Sequence, residues 1–181
     1  MIDIVMLTTG RWQFTRLAIE ELARRTTAPF RLIVVDGGDS YTQSMLAEMV
    51  SDGLIGVAVL LSSGYDEAER WAMGMALAGT GPLVQATDVW LPPADSPDWL
   101  ETLLAALEQR PEYGFLSLRP KFFPKGVPPM ARDGDLLMTP WTETAFRCVR
   151  RGASATQDRS AYMAELSAEY VPSSALAWHP R

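Results

Sequence analysis

Five continuous apolar runs punctuate the first two-thirds of the chain, and most lead through a polar break into a helical stretch. They are 2–8 (IDIVMLT), 30–36 (FRLIVVD), 54–62 (LIGVAVLLS), 82–87 (PLVQAT) and 113–119 (YGFLSLR). Their length and their Val, Ile and Leu content read as strands. They do not alternate apolar with polar residues, so both faces of each strand need cover. Between the first two, 12–25 places Phe14, Leu17, Ala18 and Leu22 at helical spacing. A second helix is expected over 41–51, with Ser40 as its cap. A third, opened by SSGYDEAE, carries Trp71, Met75 and Ala78 and stops at GTG. A fourth starts at SPDW, with Ser96 as cap and Pro97 at the first helical position, and runs through Leu107. Alternating strands and helices of this kind specify an α/β fold, a three-layer sandwich with a mostly parallel central sheet. Ligands bind such sheets beyond the carboxyl ends of the strands. Those ends read TTGR, DGGDS, SSGYDE and ATDVW. All four are polar and three hold an acid.

The chain has 181 residues, which is one domain's worth. Hydrophobic residues make up 48%, enough for a core. A net charge of −6 lowers the expectation of nucleic-acid binding, although Arg147, Arg150 and Arg151 form a small basic patch. The single cysteine, Cys148, excludes an internal disulfide and a Cys-based metal cluster. No stretch has the pattern of a signal peptide, and no apolar run reaches the roughly 18–20 residues that span a bilayer. A cytoplasmic protein is the expectation.

After Arg119 the pattern changes. PKFFPKGVPPMARDGD, with four prolines, reads as a long loop, and long loops in compact domains usually carry function. LLMTPWTETAFRCVRRG reads as a strand or loop followed by a helix. DRSAYMAELS reads as another helix, and AEYVPSSALAWHPR as an extended end.

The order of these motifs resembles the family 2 glycosyltransferases, whose fold is the Rossmann-like GT-A fold. The first strand leads into TTGR, where that family has a Thr-Tyr-Asn-Arg-like turn. The second ends in VVDGGDS, similar to Val-Asp-Asp-Gly-Ser. RWAMGMALAGTG stands in place of an Arg-Asn-x-Gly helix, and ATDVWLPPADSPDWL in place of an Asp-x-Asp motif with its Pro-rich turn. QDRSAYMAELSAEYVPSSALAWH resembles the late Glu-Asp, Tyr-Val-Pro and His elements. The match covers nearly the whole chain, as a single domain over 1–181. Residues 1–119 would form the nucleotide-sugar-binding half, and 120–181 the acceptor-side half with the Pro-rich loop.

The resemblance implies a role for each element, and the residues themselves offer a plainer one. Asp36, followed by Gly37, would bind the donor's nucleobase; otherwise it closes a strand as a polar turn residue. Thr8, Thr9, Gly10 and Arg11 would hold donor phosphate at a helix start; otherwise Thr9 is a cap and Arg11 a surface charge. Arg70 is the best cation on its helix for the diphosphate, although its spacing is one residue off and the Asn is absent; a solvated charge is the plain reading. Asp88 would hold Mn2+ or Mg2+ together with the diphosphate. Thr87 and Val89 stand where the neighbouring acids would be, and a loop cap is the alternative. Asp158 would take the proton of the acceptor hydroxyl in an inverting transfer, with Glu143 in reserve; otherwise Asp158 caps a helix. His179, the only histidine, would reach back to the metal or sit on the surface. Trp141 is the best aromatic for an acceptor, and Trp90, Trp99, Phe122 and Phe123 read mostly as core. The donor would be a UDP- or GDP-type sugar. The acceptor is open: a glycan, lipid, protein, small molecule or modified nucleic acid. Two other readings stand beside this one. The first is a catalytically degenerate relative that binds a nucleotide or partner. The second is a sugar-phosphate nucleotidyltransferase, for whose Gly-rich phosphate loop TTGR is too short.

Overall fold

A computed structural model of the chain describes residues 1–62, 64–121, 131–139, 145–151 and 159–172. The elements run β1 (Ile2–Leu7), α1 (Trp12–Arg25), β2 (Phe30–Asp36), α2 (Ser40–Ser51), β3 (Val57–Leu60), α3 (Glu67–Leu77) and β4 (Leu83–Thr87). They continue with β5 (Trp90–Leu91), α4 (Trp99–Glu108), β6 (Tyr113–Pro120), β7 (Ala131–Asp133), β8 (Leu136–Thr139), β9 (Arg147–Val149) and β10 (Arg159–Tyr170).

The sheet order is β3-β2-β1-β4-β9-β6-β10-β8-β7. The first four strands are mutually parallel, as are β6 and β10. β9 runs antiparallel between β4 and β6. α1, α2 and α4 bury Phe14, Ala18, Leu22, Met45, Leu46, Leu100 and Leu103 on one face. On the other face Val5, Leu7, Ile33 and Val35 pack with Trp71 of α3. The expected three-layer α/β architecture is therefore present. The continuous apolar runs dictate it, because a strand with two apolar faces is stable only between two layers.

Gly74 sets how close α3 lies to the sheet. A β-carbon there would stand 2.4 Å from Val5 Cγ1 and 3.0 Å from Val35 Cγ2. Only glycine lets the helix approach so closely, and this is the packing reason for Gly74 in RWAMGMALAG. Asp66 and Glu69 close a reciprocal capping box at the start of α3.

Several local expectations are corrected. The cap of α2 is Asp39, whose carboxylate accepts from Thr42 N–H at 2.8 Å, and Ser40 is the first helical residue. Residues 54–56 do not join β3, because the amides of Leu54 and Ile55 close the end of α2 on Met49 O. α4 starts at Trp99 after Asp98, two residues later than expected, with no side-chain cap bond. The two helices expected after residue 140 are absent from the described residues there: 147–149 and 159–170 are strands. DRSAYMAELS has good helix formers, and Tyr162, Met163 and Leu166 match a helical stripe. Its place between β6 and β8, however, buries residues 160–164 on both faces. Tertiary pairing overrides propensity of this size, well under 1 kcal/mol per residue. A register shift between Met163 and Ser167 lets the long strand follow β6. The helix-cap alternative for Asp158 falls with that helix.

Candidate functional site

β1, β2 and β4 end level with one another. Leu7 pairs with Val35 on one side and with Thr87 on the other. The next residue, Thr8, thus lies between Asp36 and Asp88. This register brings two distant acids to the turn at residues 8–11.

Both acids hold that turn. The Thr8 hydroxyl donates to Asp36 Oδ1, and Thr8 N–H donates to Val35 O at 3.2 Å. Asp36 Oδ2 accepts from Gly38 N–H at 3.0 Å. A β-carbon on Gly38 would sit 2.9 Å from Asp36 Oδ1, so the turn needs glycine for its carboxylate to fold back. On the other side, Thr9 N–H donates to both oxygens of Asp88, at 3.0 and 3.1 Å. The Thr15 hydroxyl donates to Asp88 Oδ2 at 2.5 Å. Asp36 and Asp88 are both fully buried. Burial pushes the Asp88 carboxyl above its ordinary range. The Thr15 and Thr9 hydrogen bonds partly offset this, and the Asp36 charge adds to it.

Over this turn opens a polar cleft of about 230 Å³, lined by Thr8, Thr9, Gly10, Gly37, Ser62, Gly64, Tyr65 and Arg70. It is smaller than the roughly 300–1,000 Å³ usual for a drug-sized ligand, so it suits one end of a nucleotide. Asp36 lies beneath it, out of the lining. Arg70 donates from Nη1 to Thr8 O at 3.0 Å. Its Nε is buried without a partner among the described residues, and its stem passes Gly37. The plain reading of Arg70 as a solvated charge is thereby corrected. Arg11 is exposed, with its guanidinium 5.3 Å over the Phe14 ring, and does not line the cleft. It precedes α1, whose first turn has no side-chain cap bond.

The structure thus gathers Thr8, Thr9, Gly10, Gly37 and Arg70 around one cleft, with Asp36 and Asp88 as its supports. Asp158, His179, Glu143, Trp141, Phe122 and Phe123 lie outside the described residues, as does most of the Pro-rich segment. Among the described residues no group of three or more His, Cys, Asp or Glu side chains is placed to hold a metal ion. Sequence reasoning missed Thr15 and Tyr65. Thr15 had a signal, as a polar residue on the apolar stripe of α1. Tyr65 was visible only as the aromatic in the polar turn SSGYDE.

The basic patch forms only in part: Arg150 and Arg151 line one hollow, and Arg147 turns away from it. Arg147 donates to Gln85 Oε1 from Nε at 2.9 Å and from Nη2 at 2.5 Å, and lies 5.3 Å over Phe115. Arg150 donates to the carbonyls of Leu107, Tyr113 and Arg110. Arg147 thus serves the sheet, while Arg150 ties the residue after β9 to the end of α4 and the start of β6.

Comparison with solved structures puts this arrangement in context. Mannosyltransferase PcManGT from Pyrobaculum calidifontis, in complex with GDP-Man and Mn2+, superposes with a TM-score of 0.71 at 14% identity, over 95% of this chain and 57% of that one. S. aureus TarS 1–349 in complex with UDP-GlcNAc gives 0.67 at 12% identity, over 99% of this chain and 61% of that one. The chain has a glycosyltransferase fold. It spans about three-fifths of the length of these neighbours. No family profile matches the sequence, and no curated protein matches it.

Proposed function

We propose that this chain binds a nucleotide-diphosphate sugar at the carboxyl ends of β1, β2 and β3 and transfers the sugar to an acceptor hydroxyl, as the family 2 glycosyltransferases it resembles do. The cleft carries the reading: one cation, Arg70, above a turn clamped by two buried acids, at the sheet edge where ligands of such folds bind. The neighbours of this fold hold UDP-GlcNAc and GDP-Man.

In this proposal Asp36 keeps Thr8 and Gly38 in place beneath the nucleobase. Arg70 and the turn of Thr8, Thr9 and Gly10 face the diphosphate. Tyr65 offers a ring to stack on. Residues 120–181 form the acceptor side. The acceptor oxygen attacks the anomeric carbon as the bond to the diphosphate breaks, with inversion. The proton of the acceptor passes to Asp158, directly before β10, and the nucleoside diphosphate leaves. The described residues do not fit a metal: Asp88 is buried with both oxygens bonded, and Thr87 and Val89 flank it.

The experiment is calorimetric titration of the chain with UDP, GDP, UDP-GlcNAc and GDP-Man, followed by a transfer and hydrolysis assay on whichever donor binds. Micromolar binding that Arg70→Ala weakens is the expected result, and no binding of any nucleotide overturns the reading. The inward-turned Asp88 also favours a second reading, a nucleotide-binding relative without transfer. Binding without turnover across a broad donor and acceptor panel selects it.

A further inference from the structure

Asp88 stands where the fold family places a metal-holding acid, and its geometry is that of something else. Both of its oxygens already accept hydrogen bonds, from Thr9 N–H at 3.0 and 3.1 Å and from the Thr15 hydroxyl at 2.5 Å. The residue is 0% exposed. Its own N–H donates to Leu7 O at 3.2 Å, which fixes it to the end of β1. We infer that this chain binds its nucleotide without a divalent metal, and that Asp88 is a positioning residue for the turn at residues 8–11. The inference rests on the donor-binding reading above.

The physical case has two independent parts. The first is coordination. Mg2+ and Mn2+ take oxygen ligands at about 2.0–2.2 Å in near-octahedral sets. Asp88 is sealed from solvent, so such an ion reaches it only if the donors that now occupy its oxygens, the Thr9 amide and the Thr15 hydroxyl, move aside. The flanking positions offer a hydroxyl, Thr87, and an isopropyl group, Val89, in place of carboxylates.

The second part is charge. Among the described residues, those lining the cleft include a cation, Arg70, and no carboxylate, with Asp36 beneath the lining. Arg70 is tethered to the turn by its bond to Thr8 O at 3.0 Å. Its Nε is a buried donor that no described residue satisfies. A diphosphate entering the cleft meets a positive group already in position. The anion's charge is met by protein donors, and the turn that presents them is held by Asp88.

Nucleotide affinity measured on the full chain in Mn2+ and in EDTA tests this directly. Affinity for UDP and GDP is expected to agree within about threefold between the two conditions, while Arg70→Ala weakens it about tenfold or more in both. Asp88→Asn and Thr15→Val, checked for folding by thermal unfolding, are expected to weaken binding about three- to tenfold by the same factor in both conditions, since each loosens the turn. Wild-type binding that falls about tenfold or more in EDTA overturns the inference and leaves the donor-binding reading standing. So does an Asp88→Asn loss seen only in Mn2+. Absence of nucleotide binding in both conditions overturns the two together. The wild-type comparison stands whether or not the variants fold.

Discussion

Two strand ends, at β2 and at β4, carry the same chemistry and lead to opposite surroundings. Each presents a fully buried aspartate, and each aspartate grips one of two consecutive threonines, Thr8 or Thr9. After Asp36 the chain passes through Gly37 and Gly38 and leaves the cleft open above it. After Asp88 it closes. Val171 N–H donates to Val89 O at 2.9 Å, Trp90 and Tyr170 sit with ring centroids 3.9 Å apart, and β5 pairs with β10. The identity of a strand-end acid does not decide its use. The residues after it do, because glycines leave room for a ligand and a buried tryptophan fills it.

The contrast is open to experiment. The largest effect is expected at Gly74, which carries Arg70 to the open end by letting α3 lie on β1 and β2. Gly74→Val drives side-chain atoms into Val5 and Val35 and should destabilise by about 3 kcal/mol or more in chemical denaturation. A loss under ~1 kcal/mol would mean that the helix can lift, and that the cleft tolerates it.

Next comes the β2 end itself. Asp36→Ala leaves the Thr8 hydroxyl and the Gly38 amide without their acceptor, a cost of about 1–3 kcal/mol. Nucleotide affinity should fall with it, since Thr8 and Gly37 line the cleft. A destabilised protein with unchanged affinity would separate the support from the site.

The β4 end should show itself in pH dependence. Burial holds the Asp88 carboxyl above its ordinary 3.8. An acid raised in the folded state binds its proton more tightly there than in the unfolded chain, so folding is favoured at low pH. Its contribution falls as pH rises from the unfolded value through the folded one, and is flat above that. The stability of Asp88→Asn relative to wild type should therefore rise across this window and then level off, as read from denaturation midpoints at a series of pH values. Asp3 gives the opposite slope. Burial pushes it up, but hydrogen bonds from Arg31 and Gly79 N–H outweigh burial and hold it low. Its contribution is present above the unfolded value and lost as pH falls. A pH-independent difference at Asp88 would mean that its carboxyl is no more buried electrically than a surface acid.

The smallest effect on folding is expected at Tyr65, which is 43% exposed at the rim of the open end. Tyr65→Ala should change stability by less than ~0.5 kcal/mol and weaken nucleotide binding by about 1 kcal/mol of lost stacking. Unchanged affinity would remove the ring from the site.

Legibility divides along the chain in the same way. The strands at 2–7, 30–36, 83–87 and 113–120 are readable because apolar runs without alternation have few other ways to be buried. The turns after them are readable as ligand-facing loops from their polar and glycine-rich composition. The strand at 159–170 is not, since Ala, Met, Glu and Leu favour a helix locally and only the pairing with β6 and β8 reverses that preference. The direction of a carboxylate is equally invisible in a line of letters. Asp88 followed by Val-Trp and Asp36 followed by Gly-Gly both look like acids at strand ends.

The amino-acid order alone thus determined the layers, the parallel half of the sheet and which loops share its carboxyl edge, because hydrophobic period and turn chemistry are local and additive. The tertiary structure decided the rest. It joined Thr8 to Asp36 and Thr9 to Asp88, turned Arg70 inward against Thr8 O, and used Arg147 on Gln85 where the letters offer a surface patch. Each of these bonds links residues distant in the chain. Their geometry follows from strand register and helix approach, quantities that exist only once the sheet has formed.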